Sequence, residues 1–416
     1  MKKDILIIGG GAAGIMAAIT AADEANVLLV ERDVRLGGIL NICIHDGFGL
    51  YFFKEELTGP EFADRLLKKL EKQNIEILLE TTVIKIKKTE KGFKAVLTNE
   101  DGLKEVDTKA IILTSGSYER TAGAIRLPGK RLKGITTAGT AQRYLNQDGY
   151  LVGKNIFILG SGDIGLIMAR RMSLEGAKVH GVAEINSNPS GLERNIVQCL
   201  NDFNIPLFLS HTVTNVEGTN KVKRITISEV DKNFKPISGT EKYFNVDCLL
   251  LSVGLIPETN LIKNLNYQIN PVTNSASVNQ NYETSIPGLF VAGNSLHIHD
   301  LVDYVVLEAQ KAANCCLNYL KEICQVKNEK QIITQENLSY TIPDKIDFNN
   351  ILEPIEIYFR TKIKVEKAKI IVKQNNKIIK TFQRRYLKPA EMNKIKLLKN
   401  DFISTDYLEI ILEELV

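Results

Sequence analysis

Apolar runs that end in glycine recur along this chain. Ile5-Leu6-Ile7-Ile8 runs into Gly9-Gly10-Gly11-Ala12-Ala13-Gly14, and Ile156-Phe157-Ile158-Leu159 runs into Gly160-Ser161-Gly162-Asp163-Ile164-Gly165. Continuous apolar runs of this length read as buried parallel strands, and the stretch after each set of glycines reads as a helix. Another strand follows each helix, Val27-Leu28-Leu29-Val30 and Val179-His180-Gly181-Val182-Ala183, so 4–31 and 154–184 are two βαβ units. Phe62, Leu66, Leu67 and Leu70 are spaced for one buried face of a helix over 59–73. Alternating positions predict strands over 76–87, 93–99 and 104–107, before a buried strand at 110–113 that ends in Thr114-Ser115-Gly116. A helix near 192–203 and strands near 222–230 continue the second unit, which closes at 248–257. The stretch 285–294 then leads into a helix over about 301–322. Beyond about 330 glycine is absent and apolar residues alternate with lysines, which predicts a small antiparallel β-domain.

Both glycine clusters fit G-x-G-x-x-G. The glycines permit a tight turn, let the backbone approach a pyrophosphate and bring helix close to strand, while the helix N-terminus attracts phosphate. Each copy also has an acid about 20 residues on, Glu31 and Glu184, placed to accept from a ribose 2′-hydroxyl. Two complete fingerprints imply two dinucleotides bound by one chain. The plainer alternative is one working site and one relic.

Composition narrows the class. The 416 residues suffice for two or three domains, and 53 basic against 49 acidic residues give nothing global for nucleic acid or membrane to read. Met1-Lys2-Lys3 before an apolar stretch resembles a targeting signal, but Asp4 and the glycines interrupt it, so no membrane span is expected. Six scattered cysteines (43, 199, 248, 315, 316, 324) include no CxxC and fit free thiols in a reducing cytoplasm. Between 360 and 399 there are 14 basic residues and two acidic ones. Lysines of this kind keep a sheet edge solvated. The functional alternative is docking of an acidic partner subunit, and no RNA-binding motif argues for nucleic acid.

The two fingerprints with their acids, together with Leu36-Gly37-Gly38, Thr114-Ser115-Gly116, Val253-Gly254-Leu255-Ile256-Pro257 and 287–294, resemble the two-dinucleotide flavoprotein superfamily of glutathione and thioredoxin reductases. The implied architecture is α/β, with two Rossmann-like domains and a small C-terminal β-rich domain. Its bounds are 1–117 with 258–328 for FAD, 118–257 for NAD, and 331–416. The implied FAD residues are Gly9, Gly11, Ala12, Ala13, Gly14, Glu31, Arg32, Gly38, Ile39, Val83, Ser115, Gly116, Gly293, Asn294, Asp300, Leu301 and Val302. Those for NAD(H) are Gly160, Gly162, Asp163, Ile164, Gly165, Glu184 and Gly254. Asn294 replaces the superfamily's usual aspartate. The redox cysteines of the glutathione reductase branch are replaced by Leu40 and His45, and the CxxC of the thioredoxin reductase branch is missing. Disulfide reduction through a dithiol of its own is therefore not expected.

A closer resemblance, carried by 37–50, 54–61, 160–171 and 297–304, is to bacterial NAD/FAD oxidoreductases that accompany glycerol-3-phosphate dehydrogenase. Flavin subunits of opine oxidases and cyanide synthase are more distant. It implies an FAD-dependent NAD(H) oxidoreductase acting with a protein electron-transfer partner or a glycerol-3-phosphate dehydrogenase subunit, and a homo-oligomer is compatible with it. The alternatives are the flavin subunit of an amine or amino-acid dehydrogenase, and a non-catalytic flavin-binding partner. Glu184 is followed by Ile185 and Asn186 rather than a cation, which favours NAD(H) over NADP(H). Cys43 and His45 are the candidate catalytic pair, His45 as a proton donor or acceptor and Cys43 as a thiol contacting the flavin ring or another carrier, or both simply pack against or hydrogen-bond the cofactor. No metal is expected at His297 and His299, which would face opposite ways if extended. Asp300 is expected to be the N-cap of the helix that follows.

Overall fold

The computed structural model describes residues 1–323 and 326–415, so Cys324 lies outside the described residues. Two compact units divide the chain, Met1–Ser117 with Pro257–Val416, and Tyr118–Ile256.

The first unit is built on the strand Lys2–Ile8, which pairs in parallel with Val27–Val30 on one side and Gly102–Leu113 on the other. Glu76–Leu78 extends one edge in parallel, and Leu289–Val291 joins Gly102–Leu113 in parallel from far along the chain. Thr82–Thr89 and Gly92–Asn99 add antiparallel strands. The predicted break at 108–109 does not exist: Gly102–Leu113 is one strand, its first half antiparallel to Gly92–Asn99 and its second half parallel to Lys2–Ile8. Helix Ala12–Ala21 packs its alanines and Ile15 into the core beside Val306, Ala309 and Ala313 of the helix Val302–Leu320. The predicted helix at 59–73 spans Gly59–Leu70, started by a capping box in which Thr58 and Glu61 satisfy each other's backbone.

The second unit holds five parallel strands in the order Leu207–Leu209, Lys178–Glu184, Asn155–Leu159, Cys248–Leu251, Ile135–Thr137. Three antiparallel strands, His211–Gly218, Val222–Glu229 and Lys242–Asn245, form a separate layer. The helix expected at 192–203 is a short α turn, Glu193–Ile196, continued as a π-helix over Val197–Asn201.

Residues after 329 form a five-stranded and a three-stranded sheet around a core of their own that includes Ile357, Phe359, Ile370 and Ile410. The larger sheet is mixed rather than antiparallel, because Lys330–Thr334 runs parallel to Leu408–Glu414. That pairing joins the two ends of the domain, and no local pattern announces it.

Candidate functional site

The first fingerprint builds a cradle in which side chains have no room. Gly9 has φ +104°, and a Cβ there would sit 2.5 Å from the Thr114 carbonyl oxygen. A Cβ on Gly14 would lie 1.8 Å from the Gly9 oxygen, so helix and strand approach as only glycine allows. Gly11 caps the helix without a side chain, and a Cβ on it would meet nothing within 4 Å. The start of helix Ala12–Ala21 therefore faces open space with its first amides uncapped, which suits a pyrophosphate. Glu31, 9% exposed, accepts from the Gly10 amide at 2.6 Å and the Asp33 amide at 2.9 Å. These bonds hold its carboxylate at the strand end, where a ribose would lie.

The other expected flavin residues gather in the same unit. Gly38 (φ +55°) comes within 3.1 Å of the Gly11 Cα through its would-be Cβ, and Ile39 beside it is exposed. The Ser115 hydroxyl donates to the Glu258 carbonyl at 2.5 Å, and Gly116 (φ +74°) borders open space. Val83 is buried opposite Leu97 on the strand that follows Glu31's partner Thr81, whereas Arg32 is exposed. Gly293 (φ +71°) leaves no room for a Cβ against Ala13, and the Asn294 Oδ1 accepts from the His299 amide at 3.1 Å.

Two expectations about the following segment are corrected. Asp300 does not cap the helix: the N-cap is Leu301, with no side-chain cap, and Val302 opens the helix. The Asp300 carboxylate instead pairs with Arg360 and accepts from the Met392 amide at 2.6 Å. His297 and His299 do not face opposite ways, because the segment is not extended. Both imidazoles turn to Glu308 Oε2, at 2.8 and 3.4 Å, while Glu308 Oε1 accepts from the Gly293 amide at 2.7 Å. These three side chains converge closely enough to hold a cation. As they stand they form a buried polar cluster around Glu308 beneath the Gly293 turn. Burial pushes the Glu308 carboxyl up, but the two imidazoles and their hydrogen bonds outweigh it and hold it well below the ordinary carboxylate range. Burial pushes His297 the other way, below an ordinary imidazole. We take Glu308 as ionised and His297 as neutral near pH 7.

Glu308, with no role assigned from the sequence, and Asp303, grouped from the sequence with His297, His299 and Asp300 in the polar run before the helix, complete the site. Asp303, 1% exposed, accepts from the amides of Gly49, Tyr51 and Phe52, and so fastens the irregular 43–53 loop to the start of the long helix. Both acids flank the apolar stripe of Val306, Ala309, Ala313 and Leu317 rather than lying on it, so helical spacing carried no signal for their burial. In the same loop, the Cys43 carbonyl accepts from the Gly59 amide at 2.8 Å, and the His45 ring tilts against Phe48 at 5.0 Å. None of the five described cysteines is joined in a disulfide.

The second cradle repeats the first. A Cβ on Gly160 (φ +95°) would lie 2.1 Å from the Ser252 oxygen, and one on Gly165 would lie 2.6 Å from the Ser252 Cβ. Ser252, not anticipated, also accepts from the Gly165 amide at 3.0 Å. Helix Asp163–Leu174 starts at Gly162 with no side-chain cap. Asp163 turns aside to accept from the Leu192 amide and the Asn195 side chain, beside partly buried Ile164. Glu184 accepts twice from Ser161, twice from Asn186 and once from Ser190, so a ribose hydroxyl there would replace one of these donors. Gly254 (φ +101°) accepts from the Arg120 amide.

Comparison with known proteins agrees with this pair of cradles. The family described as pyridine nucleotide-disulphide oxidoreductase matches residues 3–314. A ferredoxin–NADP reductase of Streptococcus gordonii is 26% identical over 330 residues, covering 76% of this chain and 94% of that protein. Ferredoxin–NADP reductase 2 of Listeria monocytogenes is 26% identical over 328 residues, covering 76% of this chain and 93% of that protein. Among solved structures, T. acidophilum thioredoxin reductase superposes with a TM-score of 0.64 at 26% identity, over 77% of this chain and 99% of that one.

Proposed function

We propose, on the premise that the chain belongs to the pyridine nucleotide-disulphide oxidoreductase family, that it is an FAD-dependent NAD(H) oxidoreductase. It exchanges hydride between nicotinamide and flavin and hands the electrons to a second protein rather than to a dithiol of its own. The observation that carries this reading is the presence of two complete cradles, each with an uncapped helix start and an acid at the next strand end.

FAD supplies the two-electron chemistry when bound; the chain supplies binding, orientation and proton handling. Gly9, Gly11 and Gly14 admit a pyrophosphate against the amides of Ala12 and Ala13, and Glu31 takes the ribose. Gly38, Ile39, Ser115, Gly116, Gly293 and Asn294 would hold the rest of the cofactor, and the uncapped start of helix Val302–Leu320 would offer it positive potential. Gly160, Gly162 and Gly165 play the same part for the nicotinamide dinucleotide. The Glu184 carboxylate, with no cation among the three residues after it, repels a 2′-phosphate and selects NAD(H). His45, in the loop fastened by Asp303, is the candidate to pass a proton. Cys43 sits in the same loop.

The finer reading is that the partner belongs to a glycerol-3-phosphate dehydrogenase system. It rests on the segments 37–50, 54–61, 160–171 and 297–304, and its setting would be the cytoplasm. Among the described residues no helix is long and apolar enough to cross a membrane. An anaerobic titration of the purified protein with NADH, NADPH, glycerol 3-phosphate and an amino acid, each with and without co-purifying partners, tests all of this. NADH should bleach the flavin at far lower concentration than NADPH, and glycerol 3-phosphate should bleach it only with the partner present. Equal bleaching by both nicotinamides defeats the role given to Glu184, and bleaching by an amino acid alone replaces the reading with an amino-acid dehydrogenase.

A further inference from the structure

The strand Ile355–Thr361 lies beyond the residues that the family matches, and one of its faces is not part of the C-terminal core. Ile355, Ile357 and Phe359 point into that core. Glu356, Tyr358 and Arg360 alternate with them and so point the other way. Each of the three meets the long helix Val302–Leu320 or the segment that enters it. Glu356 pairs with Lys311, and the Tyr358 ring lies 6.1 Å from that of His297. Arg360 donates to the Ile298 carbonyl at 3.0 Å, pairs with Asp300, and also bonds the Ala390 carbonyl. The other Asp300 oxygen takes the Met392 amide.

One guanidinium thus grips residues 298 and 300, immediately before the helix start at Val302. The same short segment supplies the His299 amide to Asn294, and its two imidazoles surround Glu308, which holds the Gly293 turn. Nothing on Leu301 caps the helix, so the position of its free amides depends on how this backbone is held. A planar fork of donors meets carbonyl and carboxylate oxygens together, which an ammonium cannot reproduce.

We infer that Arg360 is a positioning residue for the bound flavin: by gripping Ile298 and Asp300 it sets where the start of helix Val302–Leu320 stands, and it makes the C-terminal β-domain a working part of the flavin site. The inference rests on the flavin reading proposed above. It is tested with Arg360→Gln, Arg360→Lys and Asp300→Asn, using Lys364→Gln on the exposed face of the same domain as control. Both Arg360 variants should lower FAD affinity tenfold or more. They should also weaken binding of reduced flavin relative to oxidised flavin about tenfold, which is a fall of about 30 mV in midpoint potential for a two-electron couple. Lysine should not rescue, and the control should match wild type.

Variants that melt earlier yet keep wild-type FAD affinity and potential would reduce Arg360 to a structural residue and overturn the inference. If both Arg360 variants fail to fold, Asp300→Asn decides, since it leaves the carbonyl contacts in place and should give the same shift in smaller measure. Hydrogen exchange of the flavin-free protein gives an independent reading: amides 298–306 should exchange faster in the variants while 12–21 stay protected. Wild-type protein that takes up no flavin sinks the flavin reading alone, and unchanged exchange at 298–306 then sinks the clamp.

Discussion

Glu308 shows how much one buried side chain carries. It is fully buried, accepts from the Gly293 amide and bonds the His297 ring, with the His299 ring 3.4 Å away. Removing one partner of such a cluster leaves the rest unsatisfied, so Glu308→Ala should cost about 3–5 kcal/mol by urea denaturation at pH 7. The acid response has a definite sign. The Glu308 carboxyl is depressed in the folded protein, so its contribution is complete above the unfolded value of about 4.3 and is lost as pH falls below it. His297 is also depressed, so its contribution is complete above about 6.5 and declines as pH falls from there. Denaturation midpoints measured from about pH 7 to 3 should therefore fall in two stretches, from about 6.5 downward for His297 and below about 4.3 for Glu308, and His297→Gln should flatten the part between about pH 6.5 and 5. At the reacting end, His45→Asn should slow steady-state turnover with the electron acceptor by about 10² while leaving flavin reduction by NADH nearly unchanged in stopped flow. Cys43→Ser should leave both rates within a factor of about two, since this thiol is assigned no proton to carry.

Strand-turn-helix elements were the most legible part of the chain, because their glycines answer a local steric demand. Gly14 abuts the Gly9 carbonyl and Gly165 abuts Ser252 within the distance of a single Cβ. Gly14→Val should yield protein without flavin, and Gly165→Val should keep flavin but raise the NADH dissociation constant at least about tenfold, roughly 1.4 kcal/mol. The visible absorbance of bound flavin and anaerobic NADH titration separate the two outcomes. What escaped the sequence depends on partners far along the chain. Asp300 has the chemistry of an N-cap, but Arg360 takes its carboxylate, so Leu301 caps with backbone alone. The two histidines read as divergent only under an extended backbone, and Glu308, eleven residues after His297, turns them together. The parallel pairing of Lys330–Thr334 with Leu408–Glu414 is likewise non-local, and the strand alternation that predicts each strand is silent on its neighbour.

At the scale of the whole molecule, the question is whether the residues beyond the family match are detachable. They have a core of their own, yet Ile342 and Tyr358 belong to the core of the flavin-side domain, with Tyr340 and Met392 packed against it. Burying two such side chains is worth about 1.5–3 kcal/mol each. Lys311–Glu356 and Arg360–Asp300 are further ties, both partly buried and both lost together. Against a typical net stability of about 5–15 kcal/mol, losing these contacts is a large fraction of what holds the flavin-side domain folded. Their loss would also uncover the buried His297–Glu308 cluster, whose imidazole faces Tyr340 and Tyr358. A chain ended after residue 328 should therefore aggregate or emerge without flavin, even though it retains every glycine of both fingerprints. Gel filtration and the flavin-to-protein absorbance ratio check this directly. A soluble, fully flavinated 1–328 fragment would mean that the β-domain merely rides on the enzyme, with its lysine-rich sheet left as a surface for an acidic partner.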